Sequence, residues 1–157
     1  MRLEAPAPGS AVSAVRRLAS SEGKCIESSE ANRADVQNQK TVLICDDEPM
    51  LRELVRASLE FGYRFAEAND GIVALELARE LRPDVVILDL MLPRRGGLEV
   101  LADIRTDERL RTTPVLVVSA WPERREAALE AGADDFVTKP FDPDELKRSM
   151  EELLGME

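Results

Sequence analysis

VLICDD (residues 42–47) and VVILDLMLP (85–93) decide how this chain folds. Each opens with four apolar residues and then stops abruptly at aspartate: Asp46 and Asp47 in the first, Asp89 in the second. Short apolar runs bounded by charge read as strands of a parallel sheet, buried on both faces. VTKP (137–140) ends a shorter run of the same kind with Lys139 before Pro140. A carboxylate buried alone costs several kcal/mol or gives up its charge. Strands that finish in Asp46, Asp47 and Asp89 therefore imply a cationic partner, either a metal or an ammonium group such as that of Lys139.

The segments between these runs alternate in period. EPMLRELVRASLEFG (48–62) places Leu51, Leu54, Val55 and Leu59 on one helical face, with Pro49 suited to the first turn. RFAEA (64–68) is a mixed strand. DGIVALELARELRP (70–83) is a helix with Ala74, Leu75, Ala78 and Leu81 inward and Pro83 as its stop. After VVIL (85–88) comes an MLPRRGG loop and a helix carrying Leu98, Leu101 and Ile104. PVLVVSA (114–120) is a fourth strand, PERREAALEAG (122–132) a helix capped by Gly132, DDFVTK (134–139) a fifth strand and DPDELKRSMEELLG (142–155) a last helix. Five strand–helix units in about 115 residues predict one doubly wound α/β domain over residues 40–157.

Composition orders the sheet. The runs at 42–45, 85–88 and 115–118 are almost wholly aliphatic and belong in the centre, whereas RFAEA and DDFVTK are mixed and suit the edges. The flavodoxin-like order 2-1-3-4-5 satisfies both conditions. Its switch point lies between the first and third strands, where ligands bind beyond the carboxyl ends. Asp46, Asp47 and Asp89 converge there, although at least 42 positions separate Asp89 from the pair. Ser119 and Lys139 finish the fourth and fifth strands on the same rim. Any one of these residues could merely punctuate a strand end; five on one rim point to a site.

From about Thr41 to Leu154 the chain resembles the receiver domain of bacterial two-component response regulators. The resemblance rests on Asp46-Asp47, on Asp89 followed by Pro93 and Gly97, on Ser119-Ala120, on Gly132-Ala133-Asp134 and on Lys139-Pro140. It implies a phosphoacceptor at Asp89 and a divalent cation held by Asp47 and Asp89, with Asp46 acting through water and Met91 through its backbone carbonyl. It also implies phosphoryl contacts from Ser119 and Lys139, and an aromatic switch at Phe136 that fills space when Ser119 moves.

Elementary chemistry agrees with these roles. Phosphoryl transfer asks for an in-line nucleophile and neutralised oxygens, and a carboxylate is a competent acceptor. An all-oxygen cluster suits Mg²⁺ (or Mn²⁺), while the absence of histidine and the presence of just two cysteines argue against zinc. A hydrolase on the same fold would want an acid/base aspartate at position 91, which is Met91. Met91 and Trp121 instead present large apolar groups beside the expected site, where they either exclude water or simply pack. Gly96 stands where Asp or Asn often caps the third helix, which predicts a looser loop beside Asp89. Arg94 and Arg95 read as a solvated part of that loop.

With no histidine in the chain, the phosphoryl donor must be another protein, a histidine kinase or a histidine phosphotransfer protein. The sequence ends a few residues past the last helix, so the expectation is a stand-alone receiver of the chemotaxis-regulator type. Its output would be a contact with an unknown downstream protein. A phosphorylation-independent interaction module on the same fold is the alternative.

Residues 1–39 are rich in Ala, Ser, Pro and Glu, lack aromatic residues, balance their charges and have no apolar core of signal-peptide length. They read as a disordered extension, with AVSAVRRLA (11–19) as a short amphipathic stretch. The net charge of −10 therefore falls on the domain, with 16 basic against 26 acidic side chains from Lys40 onward. Such a surface repels nucleic acid and acidic membranes. Cys25 in the extension and Cys45 in a strand do not suggest a disulfide, and a reducing cytoplasm is expected.

Overall fold

The computed structural model describes residues 39–59 and 62–155. The expected extension therefore lies outside the described residues, apart from Gln39. In chain order the elements are β1 (Lys40–Cys45), α1 (Pro49–Leu59), β2 (Tyr63–Ala68), α2 (Gly71–Leu81), β3 (Val85–Leu88) and α3 (Gly97–Thr106), followed by β4 (Val115–Ser119), α4 (Arg125–Ala131), β5 (Asp135–Thr138) and α5 (Pro143–Leu153). All five strands are parallel, in the order β2-β1-β3-β4-β5, as the strand compositions predict.

The period-two alternation of each strand divides the core between two faces. Leu43 and Cys45 of β1, Val86 and Leu88 of β3, and Val115 and Val117 of β4 pack under α2, α3 and α4. Val42, Ile44, Val85, Ile87, Leu116 and Val118 point the other way, toward α1 and α5. The buried positions of the central strands are apolar on both faces, apart from Ser119 at the end of β4, because helices cover both sides of them. Each Leu or Ile removed from water there contributes about 1.5–3 kcal/mol.

Most element boundaries differ from the sequence reading by one to three residues. Three differences have a clear physical cause. Leu54 is 43% exposed, and the buried stripe of α1 runs through Val55, Ser58 and Leu59. This helix packs on α5 as well as on the sheet, which rotates its inward face past Leu54. Ser58 is accommodated because its hydroxyl donates to the Leu54 carbonyl at 2.8 Å. Helix α2 stops at Leu81, before Pro83, with Arg82 as a left-handed cap at φ 48°. The segment expected as one helix over 122–132 opens with a 3-10 turn at Pro122–Arg124 before α4, and Gly132 closes α4 at φ 116°.

The loop after β3 is tied down. Gly96 has no side chain with which to cap α3, but its N–H donates to the Glu99 carboxylate at 3.3 Å. Gly97 N–H donates to the Leu90 carbonyl at 3.0 Å, and Gly71 N–H to the Pro93 carbonyl at 3.1 Å. Arg94 pairs with Asp70 at 3.1 Å and Arg95 with Asp103 at 2.6 Å. These two arginines brace the loop against α2 and α3 and offset the side-chain cap that Gly96 lacks. Gly97 is required by space, since a Cβ there would collide with the Asp89 carbonyl and lie 2.5 Å from Leu90 Cα. Gly97→Ala should cost roughly 1–3 kcal/mol in urea unfolding, as an overpacked site does. An unchanged midpoint would mean that α3 can retreat freely from the loop.

Candidate functional site

Strand register brings the acidic residues together. Cys45 lies opposite Leu88, so Asp46 and Asp89 emerge side by side one step beyond the sheet. Asp89 N–H donates to the Cys45 carbonyl at 2.9 Å and holds that step. Ser119 lies opposite Thr138, and Lys139 N–H donates to the Ser119 carbonyl at 2.8 Å, so the lysine leaves β5 on the same rim. The Lys139–Pro140 peptide is cis.

One carboxylate oxygen from each of Asp46, Asp47 and Asp89 lies within 4.8 Å of the others. Asp46 and Asp89 are buried and Asp47 is exposed. Lys139 Nζ donates to Asp46 Oδ2 at 2.9 Å and more weakly to Asp89 Oδ2 at 3.4 Å. Asp46 Oδ1 accepts the Glu48 N–H at 2.9 Å, and Asp89 Oδ1 accepts the Met91 N–H at 3.2 Å. Asp47 has no hydrogen-bond partner among the described residues. One ammonium against three carboxylates leaves two negative charges unmatched, equal and opposite to the charge of a divalent cation. Hard oxygen donors with an exposed third ligand fit Mg²⁺, which keeps several waters.

Titration follows the same geometry. Burial raises the Asp89 carboxyl above its ordinary value and Asp46 adds to the effect, while Lys139 and the Met91 N–H oppose it. Burial would lower the Lys139 ammonium, but the hydrogen bond it donates to Asp46 and the attraction of Asp89 and Asp46 outweigh it and hold the group above its ordinary value. Burial, then the neighbouring Asp46, pushes the Cys45 thiol far up, so this free cysteine is an inert core residue.

Ser119 is fully buried, and its Oγ accepts the Trp121 N–H at 3.1 Å, leaving the hydroxyl proton free to donate. Phe136 is buried in the core on the α4 side. The Arg125 guanidinium lies 5.9 Å from its ring centroid and donates to its carbonyl at 3.2 Å. Met91 and Trp121, 58% and 46% exposed, line a cleft of about 550 Å³ with Leu90, Leu98 and Arg124. The rim thus carries Asp46, Asp47, Asp89, Ser119 and Lys139, and Phe136 lies beneath it on β5.

Sequence reasoning missed the support behind the acidic pair. Arg52 Nη1 donates to the Asp46 carbonyl at 2.7 Å, and its Nε donates to Glu67 Oε1 at 2.7 Å. The available signal was Glu67 itself, a charge between the buried Ala66 and Ala68 of an edge strand.

The sequence model described as the response regulator receiver domain matches residues 42–151. A probable transcriptional regulatory protein, TcrX of Mycobacterium tuberculosis, is 46% identical over 125 residues, covering 78% of this chain and 52% of that protein. The DNA-binding regulator RpaA of Synechocystis is 41% identical over 116 residues, covering 72% and 48%. The chain spans about half the length of the curated relatives it matches. Among solved structures, the chemotaxis response regulator CheY4 of Vibrio cholerae superposes with a TM-score of 0.70 at 31% identity, covering 74% of this chain and 100% of that one. The receiver domain of a Pseudomonas aeruginosa sensor histidine kinase, with magnesium coordinated in its active-site cleft, gives 0.67 at 32% identity, covering 74% and 98%.

Proposed function

The chain belongs to the response regulator receiver domain family, a family of signalling switches, and from that premise we propose that it accepts a phosphoryl group on Asp89 from the phosphohistidine of a partner kinase or phosphotransfer protein. The observation that carries this reading is the convergence of Asp46, Asp47 and Asp89 within 4.8 Å, with Lys139 beside them. A Mg²⁺ or Mn²⁺ ion bound by Asp47, Asp89 and the Met91 carbonyl, with Asp46 through water, would neutralise the acceptor and phosphoryl oxygens. An Asp89 carboxylate oxygen attacks phosphorus in line. The bond to the donor breaks, its electron pair leaves with the donor, and an acyl phosphate remains on Asp89. Lys139 turns its ammonium from the carboxylates to one phosphoryl oxygen, and Ser119 donates its hydroxyl proton to another. Movement of Ser119 opens space that Phe136 occupies, and the surface formed by α4, β5 and α5 changes for a downstream protein.

The receiver is taken as residues 40–157. No helix among the described residues is long and apolar enough to cross a membrane. The free, buried Cys45 thiol is compatible with the reducing cytoplasm in which we place the chain. The net charge of −10 makes a protein a better partner for this surface than a phosphate backbone or an acidic membrane.

Incubation with acetyl phosphate and Mg²⁺ should give a single phosphoryl adduct by intact mass, discharged by hydroxylamine as an acyl phosphate is and absent with EDTA. If no adduct forms at any Mg²⁺ concentration, the protein is a phosphorylation-independent interaction module.

A further inference from the structure

Arg52 and Glu67 lie behind the acidic pair and take no part in the reaction just described. Their side chains are 17% and 19% exposed, and Arg56 Nε also lies 3.2 Å from the second Glu67 oxygen. The carbonyl that Arg52 holds belongs to the peptide unit joining Asp46 to Asp47. Asp46 is already fixed by its own bonds to Glu48 and Lys139 on the side chain and to Ala68 through its N–H at 3.0 Å. The exposed Asp47 side chain has no such bond, so the direction of its Cα–Cβ bond is left to the backbone, whose preceding peptide Arg52 holds.

We propose that Arg52, braced by Glu67, is a positioning residue for the cation site and aims Asp47 at the space between Asp46 and Asp89. The inference rests on the metal reading above. Arginine suits the task because two nitrogens of its rigid fork meet two acceptors on different elements, a backbone carbonyl beyond β1 and a carboxylate on β2. Its charge works against the task, since a fixed cation behind the site repels an incoming one. Glu67 offsets that charge from the far side. The two effects of Arg52 on metal affinity therefore have opposite signs, and the sign can be measured.

The experiment is a calorimetric Mg²⁺ titration of the full chain as wild type, Arg52→Gln and Arg52→Lys, with a thermal melt of each in EDTA. Outer-shell partners of metal ligands are typically worth 10–100-fold in affinity, so Arg52→Gln should bind Mg²⁺ roughly tenfold more weakly even though it makes the protein more negative. Arg52→Lys, which keeps the charge but replaces the fork with a single nitrogen, should also bind more weakly. In both variants acetyl phosphate labelling should recover at high Mg²⁺, since affinity is lost and the acceptor is not. Arg52→Gln binding as tightly as wild type, or more tightly, overturns the proposal, because positioning by Arg52 then does not outweigh its repulsion of the cation. A purely structural role would lower the melting temperature in EDTA while the folded variants kept wild-type affinity. If Arg52→Gln does not fold, wild-type affinity in Arg52→Lys has the same force. Absence of Mg²⁺ binding by the wild type sinks the metal reading itself.

Discussion

Asp89→Asn should abolish phosphoryl incorporation from acetyl phosphate while leaving the fold intact. The amide nearly matches the carboxylate in shape and can still accept the Met91 N–H, which lies 3.2 Å from Asp89 Oδ1. It is not a nucleophile, and it removes one of three clustered negative charges. Intact mass should show no adduct under conditions that label the wild type to completion. Circular dichroism should be unchanged, because the packing of β3 ends at Leu88 and is untouched. A variant labelled to the wild-type level would strip Asp89 of its role. Weak labelling mapped to Asp46 or Asp47 would instead mean that the pocket activates any carboxylate placed in it.

The second large effect concerns stability and should run in opposite directions for two neighbours. Lys139 is the one cation within salt-bridge distance of the cluster among the described residues, with a side chain 14% exposed. Breaking a fully buried pair costs about 3–5 kcal/mol, and the open rim reduces this. Lys139→Ala should therefore lose about 2–3 kcal/mol without metal, on the order of 10 °C in a domain of this size. Asp89→Asn should melt above wild type under the same conditions. Unit charges about 4 Å apart repel by ~1 kcal/mol in water and more beside a protein.

The pH dependence follows from the raised Asp89 carboxyl. Such a group contributes stability while protonated, below its unfolded value near ~3.9, and the contribution is lost as pH rises through the folded value. The advantage of Asp89→Asn over wild type should accordingly widen from acid to neutral pH. Mg²⁺ at tenfold excess over its Kd should stabilise the wild type by about 1.4 kcal/mol. The shift should be larger in Lys139→Ala, whose site is more negative, and blunted in Asp89→Asn and Asp47→Asn. Thermal melts with and without Mg²⁺ decide the matter. If both Asn variants melt below wild type without metal and still gain fully from it, the three aspartates do not form one site.

The fold was legible because its signals are local. An aliphatic run that stops at Asp46 or Asp89 states both that a strand is buried on two faces and where it ends, and the mixed composition of Tyr63–Ala68 and Asp135–Thr138 states which strands lie at the edges. Burial then separates central from edge strands, and the flavodoxin-like order that satisfies it sets the rim on which Asp46, Asp47, Asp89, Ser119 and Lys139 meet. Polar partnership is not local, and beyond placing Lys139 near the aspartates it could not be read. Whether Lys139 leans on Asp46 or on Asp89 depends on fractions of an ångström between strand ends, and the distances of 2.9 and 3.4 Å favour Asp46. Leu54 fits an apolar stripe, but the direction of that stripe was set by the packing of α1 on α5. Arg94 and Arg95 look like solvated loop charges until the fold brings Asp70 and Asp103 within reach. Arg52 becomes a support for the acidic pair only when β2 carries Glu67 alongside β1, opposite Ile44. Apolar burial is written into the period of each segment, so the sequence alone determined the strands, the helices and the acidic rim. A charged side chain finds its partner across the register of separate strands, so tertiary structure alone decided which groups hold that rim in place.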